Sequence, residues 1–266
     1  MSKQERLDDE MSLKVWQENA DSWTELSRMG YDICRDEINT PAFLSILPNV
    51  KKKKGLDIGC GEGTNTRVVA SLGASLTGID PSSKFIEHAS SHPENDSLSI
   101  DFQVGFANDL NFSDESFDFC MSTMCLMDVC DLEGALKETY RVLKPGGFFQ
   151  FSIVHPCFSP PQTRWIEDGD AGVSGVMVSG YFRQGGNIEE WSFTTVPDEL
   201  KSKHKDFKVV HYHRTISNWL NMLIKTGFVV DELLEPQVSD ASVAKYPNLV
   251  RMKEISWFLH IRVKKP

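Results

Sequence analysis

Apolar positions recur at helical spacing over residues 10–30, where Met11, Val15, Trp16, Trp23 and Leu26 share a face and Gly30 follows as a stop. A second helix is expected from Tyr31 towards Pro41-Ala42-Phe43-Leu44. The period then changes. Leu56-Asp57-Ile58 is a short strand, Val68, Val69 and Leu72 mark a helix, and a second apolar run ends at Asp80. Ser82–Ser91 reads as a helix capped by Ser82 or Ser83, and Leu98, Ile100 and Phe102 alternate along a third strand, Ser97–Val104. Phe117–Thr123 is the fourth strand, and residues 131–143 form a helix with Leu132, Ala135, Leu136, Tyr140 and Leu143 inward. Lys144-Pro145-Gly146-Gly147 ends that helix sharply. Phe148–Val154 is a continuous apolar run suited to a strand buried on both faces.

Regularity fails from His155 to Phe207. Prolines 160 and 161, glycines 169, 172, 175, 180, 185 and 186, and the aromatics Trp165, Tyr181, Phe182, Trp191 and Phe193 fill this stretch. A loop of that length is not expected to be structureless. Its composition suits a cap of short strands that carries a substrate pocket, or a dimer interface. Lys208–Arg214 is again a strand, with Val209, His211 and His213 on one face and Tyr212 and Arg214 on the other. A helix over Thr215–Thr226 turns Ile216, Trp219, Leu220, Leu223 and Ile224 inward and closes at Gly227. Phe228–Leu234 and Ile255–Val263 are the last strands. Strands alternating with helices predict a doubly wound α/β fold. The expected divisions are a helical lid over 1–50, a nucleotide-binding core over 51–154, a cap over 155–207 and a return to the core sheet over 208–266.

Chemistry concentrates between Gly55 and Asp80, GLDIGCGEGTNTRVVASLGASLTGID. Strand, glycine loop, helix and strand with an acid at its tip make a βαβ nucleotide-binding unit. Glycine suits a backbone that bends sharply and approaches a ligand without Cβ atoms, and the helix N-terminus beyond it offers free N–H groups. Asp80 follows Gly59 by 21 residues, close to the interval at which an acid meets ribose hydroxyls. A dinucleotide fingerprint requires glycine at position 64, where Thr64 stands, so a nicotinamide-dependent oxidoreductase is disfavoured.

The pattern Asp57-x-Gly59-x-Gly61-x-Gly63 resembles the first motif of class I S-adenosylmethionine (SAM)-dependent methyltransferases. Gly78-Ile79-Asp80-Pro81-Ser82, Phe117-Asp118 and Arg141-Val142-Leu143-Lys144-Pro145-Gly146-Gly147 stand at that family's usual places. The opening Trp16-x3-Ala20-x2-Trp23 and the run HRTISNWLNMLIKTGF before Glu235-Pro236 are similar to bacterial small-molecule members. The resemblance implies a Rossmann-like seven-stranded sheet, its last strand antiparallel, with helices on both faces and a cap insertion. It implies SAM as cofactor and S-adenosylhomocysteine as product. Asp57, Gly59, Cys60, Gly61, Gly63, Asp80, Pro81, Ser82 and Ser122 are then expected around the cofactor, with Arg35 and Tyr31 near its methionine end. The segment Gly105-Phe106-Ala107-Asn108-Asp109-Leu110 matches the part that holds adenine. Where the family often has an acid before the alanine, this chain has Phe106, so Ala107 and Asn108, with Asp109 as a further candidate, take the adenine contact.

Methyl transfer from a sulfonium is an in-line displacement that needs orientation, exclusion of water and, for some acceptors, a base. His155, at the tip of the fifth strand, is the first candidate base, His213 the second and His211 the third. Each could instead hydrogen-bond the cap. Tyr31, Tyr181, Trp191, His155, His213 and Arg214 are the expected substrate contacts; Arg214 could equally brace the cap. Asp128 stands where many relatives have His and is read as a cap for the following helix.

The formal charge of −10 over 266 residues disfavours nonspecific binding to nucleic acid or an anionic membrane. Lys51–Lys54 reads as a solvated loop. Six cysteines show no disulfide-framework spacing and no CxxC pair, which suits reduced thiols in the cytoplasm. No metal motif, signal peptide or membrane-spanning run is evident. The expected partner is a small-molecule substrate, on a monomer or homodimer. An RNA-modifying methyltransferase and a non-catalytic SAM-binding regulator are the rival readings.

Overall fold

A computed structural model describes residues 7–168 and 172–266; residues 1–6 of the expected lid and Gly169 of the irregular stretch lie outside them. Helix α1 (Asp9–Arg28) starts where Asp8 accepts from the Met11 N–H, with Asp9 and Glu10 in its first turn, an arrangement that suits the positive end of the helix dipole. After Gly30 a π-helical turn, Arg35–Asn39, runs directly into α2 (Thr40–Ser45). Then come β1 (Lys54–Ile58), α3 (Thr64–Ser71), β2 (Ser75–Asp80), α4 (Ser83–Ser90), β3 (Ile100–Val104), β4 (Phe117–Thr123), α5 (Leu132–Val142) and β5 (Leu143–Val154). The irregular stretch resolves into β6 (Gln162–Asp168), β7 (Gly172–Ser179), β8 (Gly185–Trp191) and α6 (Asp198–Lys201). The chain ends with β9 (Phe207–His213), α7 (Ile216–Thr226), β10 (Val229–Leu234), α8 (Asp240–Lys245) and β11 (Phe258–Lys264).

Seven strands form one sheet in the order β3-β2-β1-β4-β5-β11-β10. β1 pairs in parallel with β2 and β4, and β11 runs antiparallel to both β5 and β10. Strand order reverses between β1 and β4, which opens a crevice at their carboxyl ends. The central strands of the sheet are buried on both faces. Leu56, Cys120, Phe149 and Phe151 meet Leu132, Leu136, Trp219 and Leu223 of α5 and α7, whereas Phe119, Met121 and Phe148 meet Phe43, Val69 and Ala70 of α2 and α3. β6 pairs with β7, and β8 with β9, as two separate antiparallel ribbons.

Several boundaries differ from the sequence pattern. β5 begins at Leu143, because Leu143 already pairs with Phe117 before the chain bulges through Gly146 at φ +75°. β3 begins at Ile100, since Pro93 starts a 3-10 turn to Ser97. β11 begins at Phe258 rather than Ile255, and α8 with the 3-10 turn Pro247–Lys253 occupies residues the pattern left unassigned. Asp131, not Asp128, caps α5 by accepting from the Gly134 N–H.

Trp219 is 2 % exposed and stacks at 5.9 Å on Phe151. Trp219→Ala is expected to lower stability by about 3–5 kcal/mol, the usual cost of emptying a large core site; urea denaturation measures it.

Candidate active site

The carboxyl ends of β1, β2 and β4 open into a cavity of about 530 Å³. Its floor is the glycine loop. Gly59 and Cys60 both donate their N–H groups to the Ile79 carbonyl, at 2.8 and 2.9 Å, which folds the loop back over the tip of β2. Gly59 stands at φ +74°, and a Cβ there would lie 2.1 Å from the Cys125 sulfur, so only glycine fits. Asp80 accepts from the Gly61 N–H at 3.0 Å and from the Ser82 N–H at 2.9 Å, one on each oxygen. Burial nevertheless raises its pKa to about 6, the two N–H bonds offsetting only part of the desolvation. Gly59, Cys60, Gly61, Asp80 and Pro81 all line the cavity.

Four residues expected at the cofactor lie behind this floor. Gly63 caps α3 at φ +87°. Ser82 caps α4 through Phe85 and donates its hydroxyl to Gln17. Ser122 donates its hydroxyl to the Ile58 carbonyl at 2.7 Å. Asp57 is 1 % exposed and accepts from the Thr66 hydroxyl at 2.6 Å, and burial pushes its carboxyl to about 7. These four shape the loop from beneath and do not reach the cavity surface.

The segment after α1 forms one wall, where Tyr31, Asp32 and Arg35 line the cavity. Arg35 is heavily engaged: it pairs with Asp36 at 2.8 Å, approaches Asp32 at 4.0 Å and donates to the Ser27 hydroxyl. Burial raises Asp32 to about 6, against the lowering effect of Arg35. Glu62, also on the wall, is bound by Arg67 at 2.8 Å and by Arg28 of α1 at 3.1 Å, which fastens α1 to the glycine loop. Phe85, Phe106, Ala107 and Asn108 line the cavity beyond Asp80, and Asn108 donates to Asp9 at 3.3 Å. Asp109 does not line it, because its N–H turns back to the Phe106 carbonyl.

The outer wall comes from α1, β8 and β9. Trp23 packs on Trp191, Phe193 and Phe207 with ring centres 5.0–5.4 Å apart. His211 and Glu189 meet across the β8–β9 ribbon at 3.3 Å and both face the cavity. Burial acts to raise Glu189, but the His211 hydrogen bond and charge outweigh it and hold the carboxyl below its usual value. Asp128 accepts from the Trp16 indole N–H at 3.1 Å, and burial raises it to about 7 although the His211 charge acts to lower it.

The other expected bases and substrate contacts are placed elsewhere. His155 is 2 % exposed, bound through Nε2 to Glu235 at 2.7 Å, and accepts from the Cys157 N–H through Nδ1. His213 contacts the Tyr181 carbonyl at 2.8 Å, and burial holds its pKa below the usual value. The Tyr181 hydroxyl accepts from the Ile216 N–H. Arg214 donates to the Val129 and Cys130 carbonyls at 2.6 and 3.0 Å, the bracing role rather than a substrate contact. None of these four lines the cavity. His211, ranked third on sequence, is the histidine that does.

Asp9, Asp32, Asp128, Glu189 and Arg251 were not among the expected site residues. Asp128 carried a signal in its alignment with a family histidine. For Glu189, the period-two pattern of β9 indicated a face but not the partner strand.

Residues 56–151 match the methyltransferase domain family. A ubiquinone biosynthesis O-methyltransferase of Rhizobium leguminosarum bv. trifolii is 37% identical over 100 residues, 38% of this chain and 40% of its own. A demethylmenaquinone methyltransferase of Tropheryma whipplei is 40% identical over 92 residues, 35% of this chain and 38% of its own. The chain thus spans well under half the length of these curated relatives. An S-adenosylmethionine dependent methyltransferase from Mesorhizobium loti, solved by crystallography, superposes with a TM-score of 0.69 at 28% identity, over 84% of this chain and 96% of that one. Sheet order and glycine loop together define a Rossmann-like fold. More particularly, residues 56–151 match a methyltransferase domain, and the fold is shared with the S-adenosylmethionine dependent methyltransferase of Mesorhizobium loti. Among the described residues no helix is long and apolar enough to cross a membrane.

A carboxyl group that titrates near 6 and accepts hydrogen bonds only fully when ionised makes binding pH-dependent. S-adenosylhomocysteine affinity is expected to be greatest above pH 7 and to fall as pH drops through about 6, where Asp80 takes up a proton, by up to roughly tenfold per pH unit. Asp80→Asn should weaken binding by about 1.5–3 kcal/mol and flatten that profile. Calorimetry between pH 5 and 8 reads both.

Proposed function

We propose that this chain transfers a methyl group from SAM to an O, N or C nucleophile of a small molecule, as a monomer or homodimer in the cytoplasm, where its six free thiols stay reduced. One observation carries the reading: the glycine ledge with Asp80 and the His211–Glu189 pair line the same cavity. When bound, SAM supplies an electrophilic methyl group on a sulfonium. Asp80 is assigned to the ribose hydroxyls, since each of its oxygens retains acceptor capacity beyond its one N–H bond. The Gly59–Gly61 backbone and the Tyr31–Arg35 segment would hold the amino-acid end. Ala107 and Asn108, beside the rings of Phe85 and Phe106, would hold adenine.

The acceptor would lie against Trp23, Trp191 and Phe193. His211 is the base of this reading, replacing His155 and His213, with Glu189 orienting its ring. The aromatic wall excludes water and keeps the reacting groups in near-attack contact. The curated relatives named for ubiquinone biosynthesis and demethylmenaquinone support a small-molecule acceptor. The acidic wall of Asp128, Glu189 and Glu190 opposes a polyanion such as RNA.

Release of S-adenosylhomocysteine is to be screened with small phenols, amines and acids. With an accepted substrate, His211→Asn should lower kcat by about 10²-fold or more and leave S-adenosylhomocysteine affinity unchanged. His155→Asn should leave kcat near wild type and lower the unfolding temperature. A rate loss confined to the His155 variant would contradict the assignment. Binding of SAM with no release of S-adenosylhomocysteine from any acceptor class would favour a regulator.

A further inference from the structure

Arg251 lies in the 3-10 turn Pro247–Lys253 and lines the cavity. Its guanidinium carbon sits 5.4 Å from the centre of the Trp165 ring, and Trp165 packs on Trp257 at 5.5 Å with planes 31° apart. All three line the cavity, so indole, indole and guanidinium form one layered wall. The Arg251 Nε is buried and has no hydrogen-bond partner. Among the described residues no carboxylate pairs with this side chain. Arg35, the other arginine on the cavity, is by contrast engaged by Asp36, Asp32 and Ser27.

A guanidinium cannot shed its charge, and Arg251 is half-buried, with its Nε donor shut off from water and unpaired, which is costly to leave so. The missing partner is therefore sought in the ligand. A planar fork of donors stacked on an aromatic ring is pre-organised for two parallel hydrogen bonds to a carboxylate. A monoanion also suits the surroundings better than a phosphate, because Asp32, Glu62, Asp80, Asp128, Glu189 and Glu190 line the same space.

We propose that Arg251 is the carboxylate anchor of the cavity. The inference rests on the reading that the cavity takes SAM and a small acceptor. Either the amino-acid end of the cofactor or an acid group on the acceptor could bring the carboxylate.

Arg251→Met keeps an apolar stem on Trp165 and removes the charge; Arg251→Lys keeps the charge and loses the fork. Both are compared with wild type by thermal unfolding without ligand. Calorimetry then uses S-adenosylhomocysteine, 5′-methylthioadenosine (which lacks the amino-acid end), and benzoate or phenylacetate added to the S-adenosylhomocysteine complex. The ligand-free Arg251→Met protein is expected to unfold at or above the wild-type temperature and to lose at least tenfold in affinity for one carboxylate ligand, with Arg251→Lys intermediate. Loss for S-adenosylhomocysteine with methylthioadenosine unchanged assigns the anchor to the cofactor. Loss for an aromatic acid with S-adenosylhomocysteine unchanged assigns it to the acceptor. Equal binding of every ligand by wild type and Arg251→Met overturns the proposal and leaves Arg251 as wall packing. Failure of wild type to bind either adenosyl ligand would instead refute the cofactor reading.

Discussion

The Asp80 carboxylate is the point on which the site turns. Held by the N–H groups of Gly61 and Ser82, it joins the glycine loop after β1 to the helix that starts after β2. Without that bridge the loop would be tied to β2 mainly by the bonds of Gly59 and Cys60 to the Ile79 carbonyl. Its burial raises its pKa to about 6, so the group that orders the loop carries electrostatic strain. Hydroxyl donors from a ligand would relieve it, which is how a buried acid can serve both structure and recognition.

From that clamp the rest of the enclosure follows by contact. Arg28 ties α1 to Glu62 on the loop, and Trp16 ties it to Asp128 beyond β4. Trp23 on the same helix enters the aromatic cluster of Trp191, Phe193 and Phe207. One helix thus links the glycine-loop floor to the strands that carry Glu189 and His211. The carboxylates at the two ends differ in kind. Asp80 and Asp32 are raised to about 6 by burial, whereas the His211 charge holds Glu189 low. Glu189 thereby fixes the His211 ring at the cavity wall.

Much of this was legible from residue order alone. The glycine spacing, Asp80 and the alternation of strands and helices required only local rules, and the observed sheet order and antiparallel β11 agree with the resemblance they support. The outer wall of the cavity was less legible. His155 was favoured because it follows β5 directly, yet the chain turns there so that Glu235, 80 residues on, takes its Nε2. His213 and His211 share a face by period two, and the placement of Tyr181 separates their fates. Arg251 carried no signal, since a buried Nε donor without a partner is recognised only once its surroundings are known.

The central claim is that this cavity is built for an adenosyl-sulfur cofactor and not for a dinucleotide. Calorimetric titration of the wild-type protein with S-adenosylhomocysteine and with NAD tests it most directly. The account predicts saturable one-to-one binding of S-adenosylhomocysteine in the micromolar range and no heat from NAD. Binding of NAD without S-adenosylhomocysteine would contradict it.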